Sequence, residues 1–166
     1  MLQHYWTVFW EIVRTPFYHI ELVWGIVPLY FGWLVNELTS SKPSYRTAIQ
    51  TGFGFTWAAA HWIWQYTQAN GTTRLTTLGA LLAVNMAVTL LVLLIGLVAL
   101  LSGLRGKYPP YCQFLGHSRF ANYFMIAIFP IQSNYLPWSW ERMASIAIFA
   151  IPIWIAMQLV MLPLRK

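Results

Sequence analysis

Residues 78–104 read LGALLAVNMAVTLLVLLIGLVALLSGL, and this stretch decides the class of fold. It contains no charged side chain, and the amide of Asn85 is its one strong hydrogen-bonding group. At a rise of about 1.5 Å per residue, a helix of this length can cross a hydrocarbon layer of about 30 Å with some tilt. The stretch therefore predicts a membrane-spanning helix.

The composition of the whole chain agrees with a membrane environment. Of the 166 residues, 58% are hydrophobic and 8% are charged, whereas a soluble domain carries about 25% charged residues. The ten Lys and Arg residues lie singly or in pairs between apolar runs. This distribution is typical of loops that flank membrane spans, and it gives no basic stripe for a nucleic acid. We therefore expect a lipid bilayer as partner and no nucleic acid.

The apolar pattern predicts an all-α integral membrane protein that forms a single membrane domain over residues 1–166. Aromatic residues recur at three- and four-residue spacing near the N-terminus, which predicts an amphipathic interfacial helix. About five transmembrane helices follow it. The interfacial helix is expected over 1–16, and the spans over about 18–37, 47–66, 78–104, 120–136 and 143–163. The fourth span has a short apolar core before Gln132, so four spans plus a re-entrant segment is the alternative.

The basic residues also predict an orientation, because Lys and Arg are enriched in cytoplasmic loops. With five spans, the side that holds the C-terminus has seven basic residues and the opposite side has three. The seven are Lys42, Arg46, Arg105, Lys107, Arg119, Arg165 and Lys166; the three are Arg14, Arg74 and Arg142. We therefore expect the N-terminus outside and the C-terminus in the cytoplasm. With four spans, six basic residues would lie on one side and four on the other, which says little about the orientation.

The stretch FGFTWAAAHWIWQ at residues 53–65 places a histidine, His61, among alanines and tryptophans. Small and polar residues of this span recur at alternating steps of four and three, and so share one helix face. They are Thr47, Thr51, Gly54, Ala58, His61 and Gln65. Because such residues mediate packing between membrane helices, we expect Gly54 and Ala58 to contact another helix and His61 to point into protein. Bulky residues lie off this face, and we expect Phe55 and Ile63 on the outer, lipid-facing side.

Three roles of His61 stay open at this point. It could form an interhelical hydrogen bond, or serve a proton, ion or substrate site, since ionisable groups within membranes are functional candidates. It could also be the axial ligand of haem or chlorophyll, with Gly54 and Ala58 leaving room for the macrocycle edge. The other histidines lie near predicted interfaces, so a pigment fits better than a bis-histidine haem. No cofactor is favoured.

Further candidates lie in other spans. Gly79, Ala83 and Ala87 follow one another at four-residue steps and predict a second helix-packing face. Asn85 lies on a different face of that helix, where it could bind another helix or line a polar path with His61. Glu21 lies near a helix end, where it could be either a carboxylate at the membrane interface or part of a proton relay. Most tryptophans, Trp62 among them, lie near predicted span ends and fit an aromatic belt.

Enzyme signatures are mostly missing from the sequence. It has no aspartate, a single cysteine (Cys112), and no HExxH, GxSxG or phosphate-binding glycine loop, so we expect neither catalysis nor a metal centre. The leading hypothesis is a non-enzymatic polytopic membrane subunit that packs with itself as a homo-oligomer or with other membrane subunits. The first alternative is a small oligomeric channel or transporter with a polar path through His61, Asn85 and Glu21. The second is a haem- or chlorophyll-binding subunit with His61 as ligand.

Overall fold

The computed structural model describes residues 2–38, 45–69, 79–107 and 119–161, and within these ranges the fold is entirely helical. The six helices are α1 (Leu2–Tyr18), α2 (Ile20–Leu38), α3 (Tyr45–Ala69), α4 (Gly79–Leu104), α5 (Arg119–Gln132) and α6 (Trp140–Met161). The prediction of an all-α protein is therefore confirmed. Residues 39–44, 70–78 and 108–118, which hold most of the predicted loops, lie outside the described residues.

One helix of the described chain, over Ala83–Leu104, is long and apolar enough by itself to cross a membrane. The first two helices meet this criterion only as a pair, and they are bent by 106° where they join. The part of α5 over Tyr123–Gln132 is apolar but short. The predicted five spans are thus not confirmed, and what stands is an all-helical chain with one candidate span.

The amphipathic helix α1 packs with one face on α6. Its Phe9 and Ile12 are buried, whereas Trp6 and Trp10 are exposed. The Phe9 ring lies 5.1 Å from the Phe149 ring of α6, measured between centroids. The helix runs to Tyr18, slightly beyond the predicted end at residue 16, and it breaks sharply from α2 at His19.

Helices α3 and α4 form the closest pair, and they are antiparallel with backbones in near contact. A Cβ on Gly96 would lie 2.8 Å from the backbone nitrogen of Thr56, and one on Gly103 would lie 2.9 Å from that of Ile49. Such distances leave space for glycine alone, and Gly52 of α3 is equally tight against the Leu100 backbone, so these glycines allow the close approach of the two helices. The α4 face involved is buried along a regular four–three spacing: Asn85, Thr89, Val92, Gly96, Ala99 and Gly103.

The predicted packing stripe of α4 does not make this contact. Ala83 and Ala87 are exposed, and Gly79 is the first residue of the helix. The stripe that packs on α3 is the one containing Asn85, because its glycines permit a closer backbone approach than alanines do. Contact of Ala83 and Ala87 with another chain stays a prediction.

Helix α3 lies between α2 and α4 and is therefore buried on two faces. Gly54 and Ala58 are buried as predicted, and a Cβ on Gly54 would lie 3.6 Å from Leu29 of α2. The expectation that Phe55 faces lipid is wrong, since it is 4% exposed, and Trp62 is fully buried rather than part of an aromatic belt. A helix with neighbours on both sides has no single buried stripe.

Trp57 satisfies a carbonyl of the neighbouring helix. Pro28 lacks the N–H that would bind the Trp24 carbonyl within α2. The Trp57 indole Nε1 of α3 donates to that carbonyl at 2.8 Å instead. The proline and the tryptophan thus join α2 to α3.

Candidate functional site

The C-terminus of α5 ends within the helical bundle with all its carbonyls bonded. The Phe129 carbonyl accepts from Ser133 N, and the Pro130 carbonyl accepts from the backbone nitrogens of residues 135 and 136. The Ile131 carbonyl accepts from Asn134 N, and the Gln132 carbonyl accepts from the Tyr66 hydroxyl of α3 at 2.6 Å. Asn134 adopts a φ of 60°, a left-handed conformation that asparagine tolerates at helix ends. This helix end is therefore fully capped.

Beside this end lies a buried group of hydrogen-bonded side chains, here called the amide cluster: Asn85, Thr89, Gln132, Asn134 and Trp138. The Asn85 Nδ2 donates to Asn134 Oδ1 at 3.0 Å, and its Oδ1 accepts from the Trp138 indole. The Gln132 Nε2 donates to the Asn85 carbonyl at 2.6 Å and to Thr89 Oγ1 at 2.8 Å. Asn85, Thr89 and Gln132 are fully buried. The cluster binds α4 to the end of α5.

The segment 133–139, here called the α5–α6 linker, also reaches α2. The Tyr135 hydroxyl donates to Glu21 Oε2, and the Tyr135 ring lies 4.5 Å from the ring of His19. Together with Asn134 and Trp138, the linker therefore contacts both α2 and α4 through polar side chains.

Arg142, just after the linker, forms a partly buried ion pair with α1. Its Nη2 lies 3.2 Å from Glu11 Oε2, and its Nη1 donates to the Pro137 carbonyl at 2.8 Å. The Arg142 side chain is only 14% exposed. Ser139 caps α6 by accepting from Arg142 N at 3.2 Å. Glu141 points away and lies 3.7 Å from His4, so Glu141 and Arg142 do not act as a pair with each other.

His61 is half-buried where α2, α3 and α5 meet. A Cβ on Gly25 would lie 2.6 Å from the imidazole, so the missing side chain at Gly25 makes room for the ring. The Phe129 ring lies 5.5 Å away and the Trp64 ring 5.8 Å away. The Gln65 Nε2 approaches His61 Nε2 at 3.4 Å. His61 points into protein as predicted.

The predicted polar path is divided between two places. Glu21 lies one helical turn before Gly25, the residue of α2 that faces His61. Asn85 belongs to the amide cluster, and no hydrogen bond among the described residues joins it to His61. Phe129 lies against His61 on one side and against Trp62, at 5.6 Å, on the other.

The surroundings of His61 do not fit an axial ligand of haem or chlorophyll. A macrocycle needs open space in front of the ligating nitrogen. The Gln65 amide occupies that direction at Nε2, and the Phe129 ring and Gly25 lie against the half-buried imidazole. Among the described residues, no group of three or more His, Cys, Asp or Glu side chains could hold a metal ion.

A few buried polar atoms of the described chain lack a hydrogen-bond partner. Near the end of α5 these are Gln132 Oε1, Ser133 Oγ and the Trp62 indole nitrogen. Acceptors and a donor occur together, which is the combination that a buried water satisfies. We assign no other ligand to them.

Sequence reasoning found Asn85 but not the residues that bind it. In the sequence, Gln132 indicates only the end of an apolar run, since its partner Asn85 lies more than 40 residues away along the chain. The spacing that continues from Asn85 to Gly103 was the signal that could have identified the buried face of α4.

No family model matches this chain, and no curated protein or solved structure is significantly similar to it.

Proposed function

We propose that the chain is a polytopic integral membrane protein that acts as a non-enzymatic subunit, assembling with itself or with other membrane subunits. The observation that carries this proposal is the inverted polarity of α4. Its amide and hydroxyl groups at Asn85 and Thr89 are fully buried, whereas most of its leucines that the structure describes are exposed. The exposed ones are Leu90, Leu91, Leu94, Leu97, Leu101 and Leu104. Water does not stabilise such a surface, but lipid does.

Large apolar side chains are also exposed on other helices, which supports more than one span. Trp24 and Phe31 of α2 are 74% and 65% exposed, and Ile151 and Leu159 of α6 are 66% and 62% exposed. Contiguous apolar surface on a monomer indicates contact with a membrane or with another protein. Lipid around α2 and α6, as well as around α4, accounts for these side chains.

The polar groups favour a structural role over a channel. Asn85 uses its side-chain oxygen, its side-chain nitrogen and its backbone carbonyl to bind the end of α5 and the linker. A group engaged in this way is not available to a passing ion. A channel through His61 and Asn85 would also need to pass the Phe129 ring. Transport stays an alternative that a flux measurement in proteoliposomes would reveal.

Two measurements test the proposal. We expect the protein to stay with membranes during alkaline carbonate extraction and to self-associate or co-purify with membrane partners when transferred to lipid nanodiscs. Release by carbonate would contradict membrane integration. A monomer in nanodiscs without any partner would contradict the subunit role while leaving membrane integration intact.

A further inference from the structure

A narrow crevice, here called the α2–α3 crevice, opens between these two helices. Pro28 and Gly32 line it from α2, and Gln50 and Gly54 line it from α3. A Cβ added to Gly32 would meet no atom within 4 Å, so the crevice is open at this point. Because glycine stands on both walls, the gap is shaped by absent side chains and its lining is mostly apolar.

Gln50 is the polar group of this crevice that has no partner. Its side chain is half-buried and forms no hydrogen bond with a described residue. The neighbouring Thr51 hydroxyl is already bonded to the Thr47 carbonyl at 2.8 Å. An amide that faces hydrocarbon without a partner is unfavourable. A ligand with a hydrogen-bonding group at this depth would therefore be stabilised.

A basic residue lies one helical turn before Gln50 on the same side of α3. Arg46 is exposed, precedes Gln50 by four residues, and forms no ion pair with a described residue. Residues at four-residue steps follow one side of a helix at intervals of about 6 Å. Along this side of α3 from its N-terminus, a cation is thus followed by an amide and then by an apolar wall, at Arg46, Gln50 and Gly54. The headgroup layer of one leaflet is about 5–8 Å thick, which matches one of these steps.

We propose that the α2–α3 crevice binds one phospholipid with an anionic headgroup. The phosphate lies at the Arg46 guanidinium, an ester carbonyl accepts from the Gln50 amide, and an acyl chain lies along the open mouth of the crevice at Gly32. Further cations favour a net negative headgroup, because Arg105 and Lys107 are exposed at the same end of the bundle. This inference rests on the proposed embedding of α2 and α3 in the membrane.

Native mass spectrometry of the full chain in detergent micelles tests the site. Delipidated protein is titrated with phosphatidylglycerol, and separately with phosphatidylcholine that carries the same acyl chains. We expect one phosphatidylglycerol to bind with clear preference. Arg46→Gln should weaken it by about tenfold or more, because a charge-assisted hydrogen bond is lost. Gly32→Phe should abolish binding of both lipids by filling the crevice. Arg14→Gln, on α1, is the matched control and should change neither.

Equal binding of the two lipids would overturn the proposal, as would phosphatidylglycerol binding that survives both Arg46→Gln and Gly32→Phe. Thermal unfolding without lipid verifies that each variant is folded. If Gly32→Phe does not fold, Gln50→Leu replaces it. Gln50→Leu should weaken the binding of both lipids equally. Carbonate extraction separates the two proposals. A chain that resists extraction but shows no lipid preference overturns only the lipid site, whereas a chain released by carbonate overturns the proposed function.

Discussion

Trp57 shows at the scale of one residue how a helix can tolerate a proline. The Trp24 carbonyl has lost its partner at Pro28 and receives the Trp57 indole at 2.8 Å. Trp57→Phe keeps an aromatic ring and removes the donor. We expect it to lower the free energy of unfolding by about 1–3 kcal/mol, the usual cost of an unsatisfied group, since hydrocarbon has no water to replace the donor. Equilibrium unfolding in mixed micelles measures the effect.

A second substitution isolates the hydrogen bond. Pro28→Ala restores an N–H at residue 28, which can bond to the Trp24 carbonyl within α2. In this background Trp57→Phe should cost clearly less than in the natural chain. An equal cost in both backgrounds would show that packing is responsible. If Trp57→Phe cost no stability in either background, water would reach the Trp24 carbonyl, and this face of the helices would lie outside the hydrocarbon.

At the scale of an element, α4 has two faces that differ in what they contact. Gly96→Leu should force α3 and α4 apart, because even a Cβ would lie 2.8 Å from the Thr56 backbone. We expect a loss of about 3 kcal/mol or more in the free energy of unfolding, at the upper end of overpacking. Ala87→Leu is the matched control on the exposed face, and it should leave the stability of the isolated chain nearly unchanged.

The same control variant tests the assembly. If Ala83 and Ala87 contact another membrane helix, Ala87→Leu should weaken self-association or partner binding in nanodiscs while the chain stays folded. Equal destabilisation of the monomer by Gly96→Leu and Ala87→Leu would contradict the packing described for α4. Unchanged assembly in Ala87→Leu would exclude this stripe as an interface.

These two faces also show what the sequence could and could not predict. The length and apolar composition of residues 78–104 were sufficient to predict the helix itself. The face of α3 that carries small residues identified Gly54 and Ala58 as packing positions. The contact face of α4 was not predicted, because two stripes of small residues fit the same periodicity and the neighbour selects between them. The amide cluster could not be predicted for a similar reason. Its members lie far apart along the chain and become neighbours only because α5 ends beside α4.

At the scale of the whole molecule, the α5–α6 linker and its flanking residues join most of the helices. Tyr135 binds Glu21 of α2, Asn134 and Trp138 bind Asn85 of α4, and Arg142 binds Glu11 of α1. Lipid provides no hydrophobic reason for helices to associate. Polar contacts that meet at one segment can therefore fix the arrangement of the bundle, and they concentrate three carboxylates, Glu11, Glu21 and Glu141, at one end.

The opposite end is basic, and this asymmetry predicts how the protein lies in a membrane. Arg46 lies in the first turn of α3, and Arg105 and Lys107 follow α4. For the proposed membrane protein, the positive-inside tendency therefore predicts that this end lies in the cytoplasm. In a Cys112→Ser background, we expect a membrane-impermeant maleimide to label Gln3→Cys in intact cells, and to label Tyr45→Cys and Lys107→Cys only after permeabilisation. All three positions are exposed. Labelling of Tyr45→Cys in intact cells, with Lys107→Cys protected, would contradict the antiparallel packing of α3 on α4, which places Tyr45 and Gly103 at the same end of the bundle. The reverse of the whole pattern would invert the orientation and would leave the number of crossings unchanged.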